Sequence, residues 1–243
     1  MSDSEKINWK RIGVEATAIV ASILLAFAID AWWDNRKESV SQVAQLQSLV
    51  RELDDAQGHL TSQKQSLENA LAGTVRILEL MGPEAGADEG QAFPDALANS
   101  FNIGVSLPQR GVLSEILASR ASAHSRVNDV WSDLQSFSTA LDDMAVDGVH
   151  LESNREQDFI AALVRLDVSM SSVIKLQFGA TSADSSFQIP ESKFAPQWTT
   201  LLRDPALETI FVMRALRINL LLIIHEEAIE TAARVIEQLD SPQ

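Results

Sequence analysis

Residues 12–33 read IGVEATAIVASILLAFAIDAWW, and the only ionisable side chains among them are Glu15 and Asp30. A helix over this stretch covers about 33 Å at about 1.5 Å per residue, enough for a hydrocarbon core of about 30 Å. The uncharged part, Ala16 to Ile29, covers only about 21 Å. A transmembrane helix here therefore needs Glu15 and Asp30 near the two interfaces. Lys6, Lys10 and Arg11 precede the stretch and Arg36 and Lys37 follow it. Trp9, Trp32 and Trp33 stand where interfacial aromatic anchors belong. A cleavable signal peptide would use the same basic residues with Ala26-Phe27-Ala28 as its cleavage site. Glu15 at the start of the apolar run and the Trp32-Trp33 pair after it fit an uncleaved single span better. A buried helix of a soluble protein fits less well, because apolar residues cover the whole circumference.

On a helical wheel Glu15, Ala18, Ser22, Ala26 and Asp30 fall within about 120° of one another. Bulky Ile19, Ile23, Leu24 and Phe27 cover most of the remaining surface. A stripe of small residues at a spacing of four lets helix backbones approach, and its flanking carboxyl groups prefer protein or water to lipid. This face is the expected packing surface of the membrane helix, against a second copy or a partner's span. The alternative is that the alanines are incidental and both acids reach the interfaces on their own. The basic residues before the span slightly outweigh those after it, which leans toward a cytoplasmic N-terminus and an exported domain.

Outward from the span, residues 39–81 place Leu46, Leu49, Leu53, Ala56, Leu60, Leu67, Ala70, Ile77 and Met81 at spacings of three and four, or their sums. That is a helix with one apolar seam. No proline occurs before Pro83, so the anchor helix can continue into this one. Gln63 and Thr74 interrupt the seam, which favours packing inside a bundle over a free coiled coil. Gly58 and Gly73 each weaken the helix by about 1 kcal/mol against Ala, and Gly82-Pro83 stops it. Residues 82–94 read as an acidic, Gly-rich loop, with a short helix after Pro94 and another after Pro108 carrying Val112, Leu113, Ile116 and Leu117. A helix from Asn128 to about Asp147 shows Val130, Trp131, Leu134, Phe137, Leu141 and Met144 on one face. After a break at Gly148, Phe159, Ile160, Leu163, Leu166, Met170 and Ile174 continue the period. Residues 178–196 form a second loop. Pro205 to Leu239 reads as a long terminal helix; Arg214 and Arg217 argue against a second span and for the centre of the bundle.

The chain of 243 residues holds 34 Asp plus Glu against 19 Lys plus Arg, a net charge of −15, with no Cys, no Tyr and four His. Such acidity excludes a nucleic-acid binder, which needs a concentrated basic surface. It also keeps a soluble domain off anionic headgroups. The absence of Cys removes disulfide frameworks, thiolate catalysis and Cys-based metal sites. Ten Gly and seven Pro are few for a turn-rich all-β fold.

The opening GVEATAIVASILLAFAIDAWWDNRKE resembles the anchor of a large bacterial family of unknown function with one N-terminal transmembrane helix followed by an all-helical domain. In that family a Gly-x-Glu or Gly-Glu step opens a span that ends in an aromatic and an Asn/Arg/Lys cluster. RGVLSEILASRASAHSRVNDVWSDLQSF is similar to its internal helix-turn-helix segment, with Ala121-Ser122-Ala123 in place of the usual Gly-containing turn. LLRDPALETIFVMRALRINLLLIIHEEAIETAARVIEQL is similar to its C-terminal helix. The resemblance implies an architecture and a bacterial inner-membrane location, and no activity.

Chemistry is sparse. His225-Glu226-Glu227 matches half of the HExxH zinc helix, but the second His would stand at Ile229. His225 is expected at the edge of the terminal helix; His59, His124 and His150 show no ligand spacing. No GxSxG, P-loop or GxGxxG is present. The acid pairs Asp54-Asp55, Asp142-Asp143 and Glu226-Glu227 point about 100° apart on a helix and read as solvated faces. Trp131 and Trp198 read as core residues.

The sequence thus predicts an all-α protein: a single N-terminal transmembrane helix continuing into a long helix, with an antiparallel helical bundle. Its expected divisions are a tail (1–11), a transmembrane helix (12–33), a long membrane-proximal helix (34–81) and the remainder of the bundle (82–243), which packs with 39–81. The expected role is that of a non-enzymatic, membrane-anchored scaffold or interaction protein. Its partners would be the lipid bilayer and a second copy or another membrane protein, with no nucleic acid, cofactor or metal. A membrane-tethered ligand-sensing domain signalling through a partner is the alternative.

Overall fold

The computed structural model describes the backbone of residues 9–119, 125–166 and 197–241, and the side chains within these from Ser22 onward except those at 38, 125 and 154–156. Every regular element among them is helical. Helix α1 (Trp9–Leu80) is followed by α2 (Ala87–Phe101), α3 (Gly111–Ser119), α4 (Ser125–Asp129) and α5 (Trp131–Ser153). A π-helical turn (Asn154–Phe159) leads into α6 (Ile160–Arg165), and the chain closes with α7 (Trp198–Leu202) and α8 (Pro205–Asp240). The fold divides into two compact units, residues 1–49 and 50–243.

In the first unit α1 is unbroken, as the absence of proline predicts. Among the described residues no helix is long and apolar enough to cross a membrane. The described apolar side chains of the N-terminal segment run from Ser22 to Trp33, about 18 Å at about 1.5 Å per residue. The first half of the expected span, with Glu15 and Ala18, lies outside the described side chains. Membrane crossing over 12–33 therefore does not emerge from the described residues.

In the second unit the apolar seam of α1 is buried at Leu53, Ala56, Leu60, Leu67, Ala70 and Ile77. Of the outlying seam positions, Leu49 is buried and Leu46 half-buried. At the far end the helix stops at Leu80, which packs into the core, and Met81, one residue past the helix end, lies at its margin. Gly82 N–H there donates to the Leu202 carbonyl at 2.9 Å, tying the stop to α7.

Two expected breaks are corrected. Residues 82–94 are not a continuous loop, because α2 begins at Ala87 and carries Pro94 inside it. The Glu89 carboxylate accepts the Gly86 N–H at 2.9 Å, capping the start, and Asp88 and Glu89 complement the dipole of the first turn. The same backbone hydrogen bonds, from Glu89 and Gly86, hold the Glu89 carboxyl below its ordinary range. Burial of Phe93, Leu97 and Phe101 along one face outweighs the bond lost at Pro94. Nor does Gly148 end its helix: α5 runs through to Ser153. A Cβ at 148 would stand 2.8 Å from Val105 Cγ1, so this glycine admits the 102–110 connection to the helix surface.

The remaining elements follow their patterns. Val130, Leu134, Phe137, Leu141 and Met144 are buried, and α5 packs along α8. Trp131 and Trp198 are only half-buried rather than core; Trp198 rests against Phe93 with ring centroids 5.5 Å apart. Asp204 caps α8 by accepting the Ala206 N–H at 2.9 Å, with Pro205 at the first helical position. Its other carboxylate oxygen pairs with Arg165. Met170, Ile174, the turn at 121–123 and the loop at 178–196 lie outside the described residues.

Candidate functional site

The N-terminal face predicted from the helical wheel has Ser22, Ala26 and Asp30 on an exposed part of α1. Trp9 lies in the first turn of α1, with its side chain outside the described set. Trp32 and Trp33 lie 5.9 Å apart by ring centroid, and the Arg36 guanidinium sits 5.8 Å from the Trp32 ring. Around them Ile23, Leu24, Leu25, Phe27 and Ile29 are all at least half exposed. Their directions cover every side of the helix, so no single neighbouring element could shield them.

The second unit buries a set of polar groups that the sequence scattered. Arg214, on α8, is 2 % exposed. Its Nε donates to Ser100 Oγ at 3.2 Å and its Nη2 to the Ser100 carbonyl at 2.6 Å. Its guanidinium carbon lies 4.3 Å from the Phe101 ring centroid. Thr74 donates its hydroxyl to the Ala70 carbonyl at 2.7 Å and accepts the Ser100 hydroxyl at 2.7 Å. The order Arg214, Ser100, Thr74, Ala70 is thus a donor relay joining α8, α2 and α1. Charge-assisted bonds and the stacking over Phe101 offset part of the desolvation of the guanidinium.

A second cluster joins the same two long helices. Gln63 Nε2 donates to the Ser106 carbonyl at 2.5 Å and to Ser106 Oγ at 3.0 Å, leaving its Oε1 3.1 Å from His225 Nε2. His225 Nδ1 stands 2.8 Å from the Leu221 carbonyl, and His59 Nε2 meets the Ser106 carbonyl at 3.0 Å. His225 is fully buried rather than at the edge of its helix. Burial pushes its pKa below the ordinary value of 6.5; the Leu221 carbonyl opposes this and His59 adds to it. A group depressed in the folded state contributes stability above pH 6.5 that is lost as pH falls through the folded pKa. Urea midpoints of the native chain are accordingly expected to drop between pH 7.5 and 5, with a shallower drop in His225→Gln. Parallel pH profiles for the two proteins would contradict a His225 pKa lowered by burial.

Two clefts open to the surface adjoin these polar groups. One of about 550 Å³ is walled by Phe101, Val105, Leu107, Leu151, Glu152 and Arg214. A groove of about 560 Å³ between α1 and α2 is lined by Asn69, Gly73, Arg76, Asp95 and Asn99. Both are large enough for a small molecule. Among the described residues no group of three or more His, Asp or Glu could hold a metal ion. Asp54, Asp55, Asp142, Asp143, Glu226 and Glu227 are exposed, as their spacing predicts. Lys64 reaches across to Glu226 at 2.9 Å, and that hydrogen bond raises its pKa.

Sequence reading flagged Gln63 and Thr74 as polar interruptions of the seam but did not supply their partners. It also missed Glu52, whose two carboxylate oxygens accept the Val112 and Leu113 N–H groups at 2.8 Å each and so cap α3. Comparison with known proteins finds no matching family model, no similar curated protein and no similar solved structure.

Proposed function

We propose that this chain is a membrane-anchored helical scaffold or interaction protein with no catalytic role, held in a bacterial inner membrane by residues 12–33. The observation that carries the reading is the exposure of Ile23, Leu24, Leu25, Phe27, Ile29, Trp32 and Trp33, between 50 % and 66 % each, on one continuous helix. Burying such a side chain fully is worth about 1.5–3 kcal/mol, so the segment has a strong drive to leave water. A bilayer takes an all-round apolar helix, and Trp32-Trp33 with Arg36 and Lys37 suit its interface. The face of Glu15, Ala18, Ser22, Ala26 and Asp30 then packs against a second span, from another copy or a partner. The slight basic excess before the span leans the N-terminus to the cytoplasm and the bundle to the exported side.

Fractionation tests the anchor: the native chain is expected to stay with membranes after a carbonate wash, and Leu24→Asp/Phe27→Asp to be released. A native chain recovered wholly in the supernatant defeats the reading. For the packing face, Ala18→Leu/Ser22→Leu/Ala26→Leu is expected to lose crosslinking between spans while staying in the membrane. Unchanged crosslinking would remove that face from the proposal.

A second reading, a tethered sensor for a small ligand, is favoured by the 550 Å³ cavity with buried Arg214 on its wall. The scaffold reading is preferred because the buried polar groups bond to one another within the bundle while the large apolar surfaces face outward.

A further inference from the structure

The hydrogen-bond partners of His225 ask for more protons than a neutral ring holds. Its Nδ1 stands 2.8 Å from the Leu221 carbonyl and its Nε2 3.1 Å from Gln63 Oε1. Both partners are oxygens that only accept, and a neutral imidazole carries one N–H. With Nδ1–H on Leu221, a neutral ring sets its Nε2 lone pair against Oε1, whereas an imidazolium fills both contacts. The Gln63 amide can instead turn over, its two ends being nearly alike in shape. Its NH2 group then donates to His225 Nε2, and Oε1 takes the amide position beside Ser106. There it accepts the Ser106 hydroxyl but repels the Ser106 carbonyl, which stands 2.5 Å from that position. The charge on His225 thus decides which end of Gln63 faces Ser106.

We propose that His225, Gln63 and Ser106 form a proton-operated latch on the 102–110 connection. The protonated ring turns the Gln63 NH2 group onto Ser106 and closes the latch; the neutral ring draws it away and opens it. Ser106 stands between Val105 and Leu107, which with Ile103 and Gly104 form one wall of the 550 Å³ cleft. The latch therefore moves that wall. Burial favours the neutral His225 near neutral pH, so the latch is open there and closes as the pH falls. Other charges do not replace this control. His59, on α1, has its Nε2 3.0 Å from the Ser106 carbonyl and donates there whether its ring is neutral or charged. Lys64 of α1 pairs with Glu226 of α8, and Arg110 of the connection with Asp142 of α5. Asp143 of α5 and Glu227 of α8 line a separate outer groove. The latch needs neither the membrane anchor nor a bound partner.

Methyl and imidazole NMR of the full-length chain in detergent micelles, titrated from pH 7.5 to 5, tests it. Val105 is a sensitive reporter, because it abuts α5 where a Cβ at Gly148 would stand 2.8 Å from its Cγ1. The His225 Cε1–H signal and the Val105 and Leu107 methyl signals are expected to titrate with one shared midpoint below 6.5. In Gln63→Met, His225 should still titrate while the two methyl signals lose that midpoint. In His225→Gln they should stay in place, and in His59→Gln they should move as in the native chain. The Gln63→Met and His59→Gln arms decide the matter even if His225→Gln does not fold. Methyl signals that keep the His225 midpoint in Gln63→Met, or lose it in His59→Gln, overturn the latch. So do methyl signals that stay still while His225 titrates in the native chain, or a His225 ring that stays neutral until acid unfolds the protein.

Discussion

Gly73→Ala is expected to destabilise the bundle by about 2 kcal/mol, while Gly58→Ala on the same helix stabilises it by up to about 1 kcal/mol. By helix propensity alone the two substitutions are equivalent, each relieving α1 of a flexible residue. Their surroundings are not. A Cβ at 58 meets nothing within 4 Å, whereas one at 73 stands 2.6 Å from the Ser100 nitrogen, 2.9 Å from the Ala96 carbonyl oxygen and 2.9 Å from Asn99 Cβ. Two of those three atoms belong to the backbone of α2 and cannot rotate away. α2 would have to lift off α1, stretching the Thr74–Ser100 bond beside it and loosening Phe93 and Leu97 in the shared core. Overpacking of this kind costs about 1–3 kcal/mol, partly offset by the propensity gain. Urea unfolding of the two variants beside the native chain reads the difference directly. Equal shifts of the same sign would mean that the helices do not meet backbone to backbone at Gly73.

That contrast marks where the sequence was legible. The seam of α1 could be read because the same period repeats over many turns, and burial of Leu53, Leu60, Leu67 and Ile77 follows it. The terminal helix was equally plain, with its Pro205 start and the arginines that place it in a bundle. What escaped reading depends on neighbours distant in the chain. Gln63 finds Ser106 after 43 residues and His225 after 162, and Ser106 lies in a connection with no period at all. Gly148 has the composition of a break, yet Val105 makes it a point of close approach. Pro94 reads as a helix start until the buried Phe93 beside it shows that the helix gains more by running through. The exposed apolar face of α8 was visible only as apolarity on several faces, because periodicity does not say which face the bundle covers.

Arg214 is where the polar interior of the bundle should prove most sensitive to truncation. Arg214→Ala is expected to cost about 3 kcal/mol, because it withdraws the donors held by Ser100, uncovers the Phe101 ring and widens the adjoining cavity. Arg214→Met keeps most of the side-chain volume and removes the charge that had to be desolvated. Its cost is about 1 kcal/mol, chiefly for the Ser100 carbonyl left without this donor. Arg214→Lys keeps the charge but loses the planar fork and its stacking, so it should fall between the two. The order Ala, Lys, Met in decreasing damage distinguishes a buried hydrogen-bonding cation from a simple space-filler, for which Lys would cost no more than Met. Equilibrium unfolding at constant pH resolves differences of this size. An Ala variant within 0.5 kcal/mol of the native chain would mean that the relay from Arg214 through Ser100 to Thr74 contributes little to joining α8, α2 and α1.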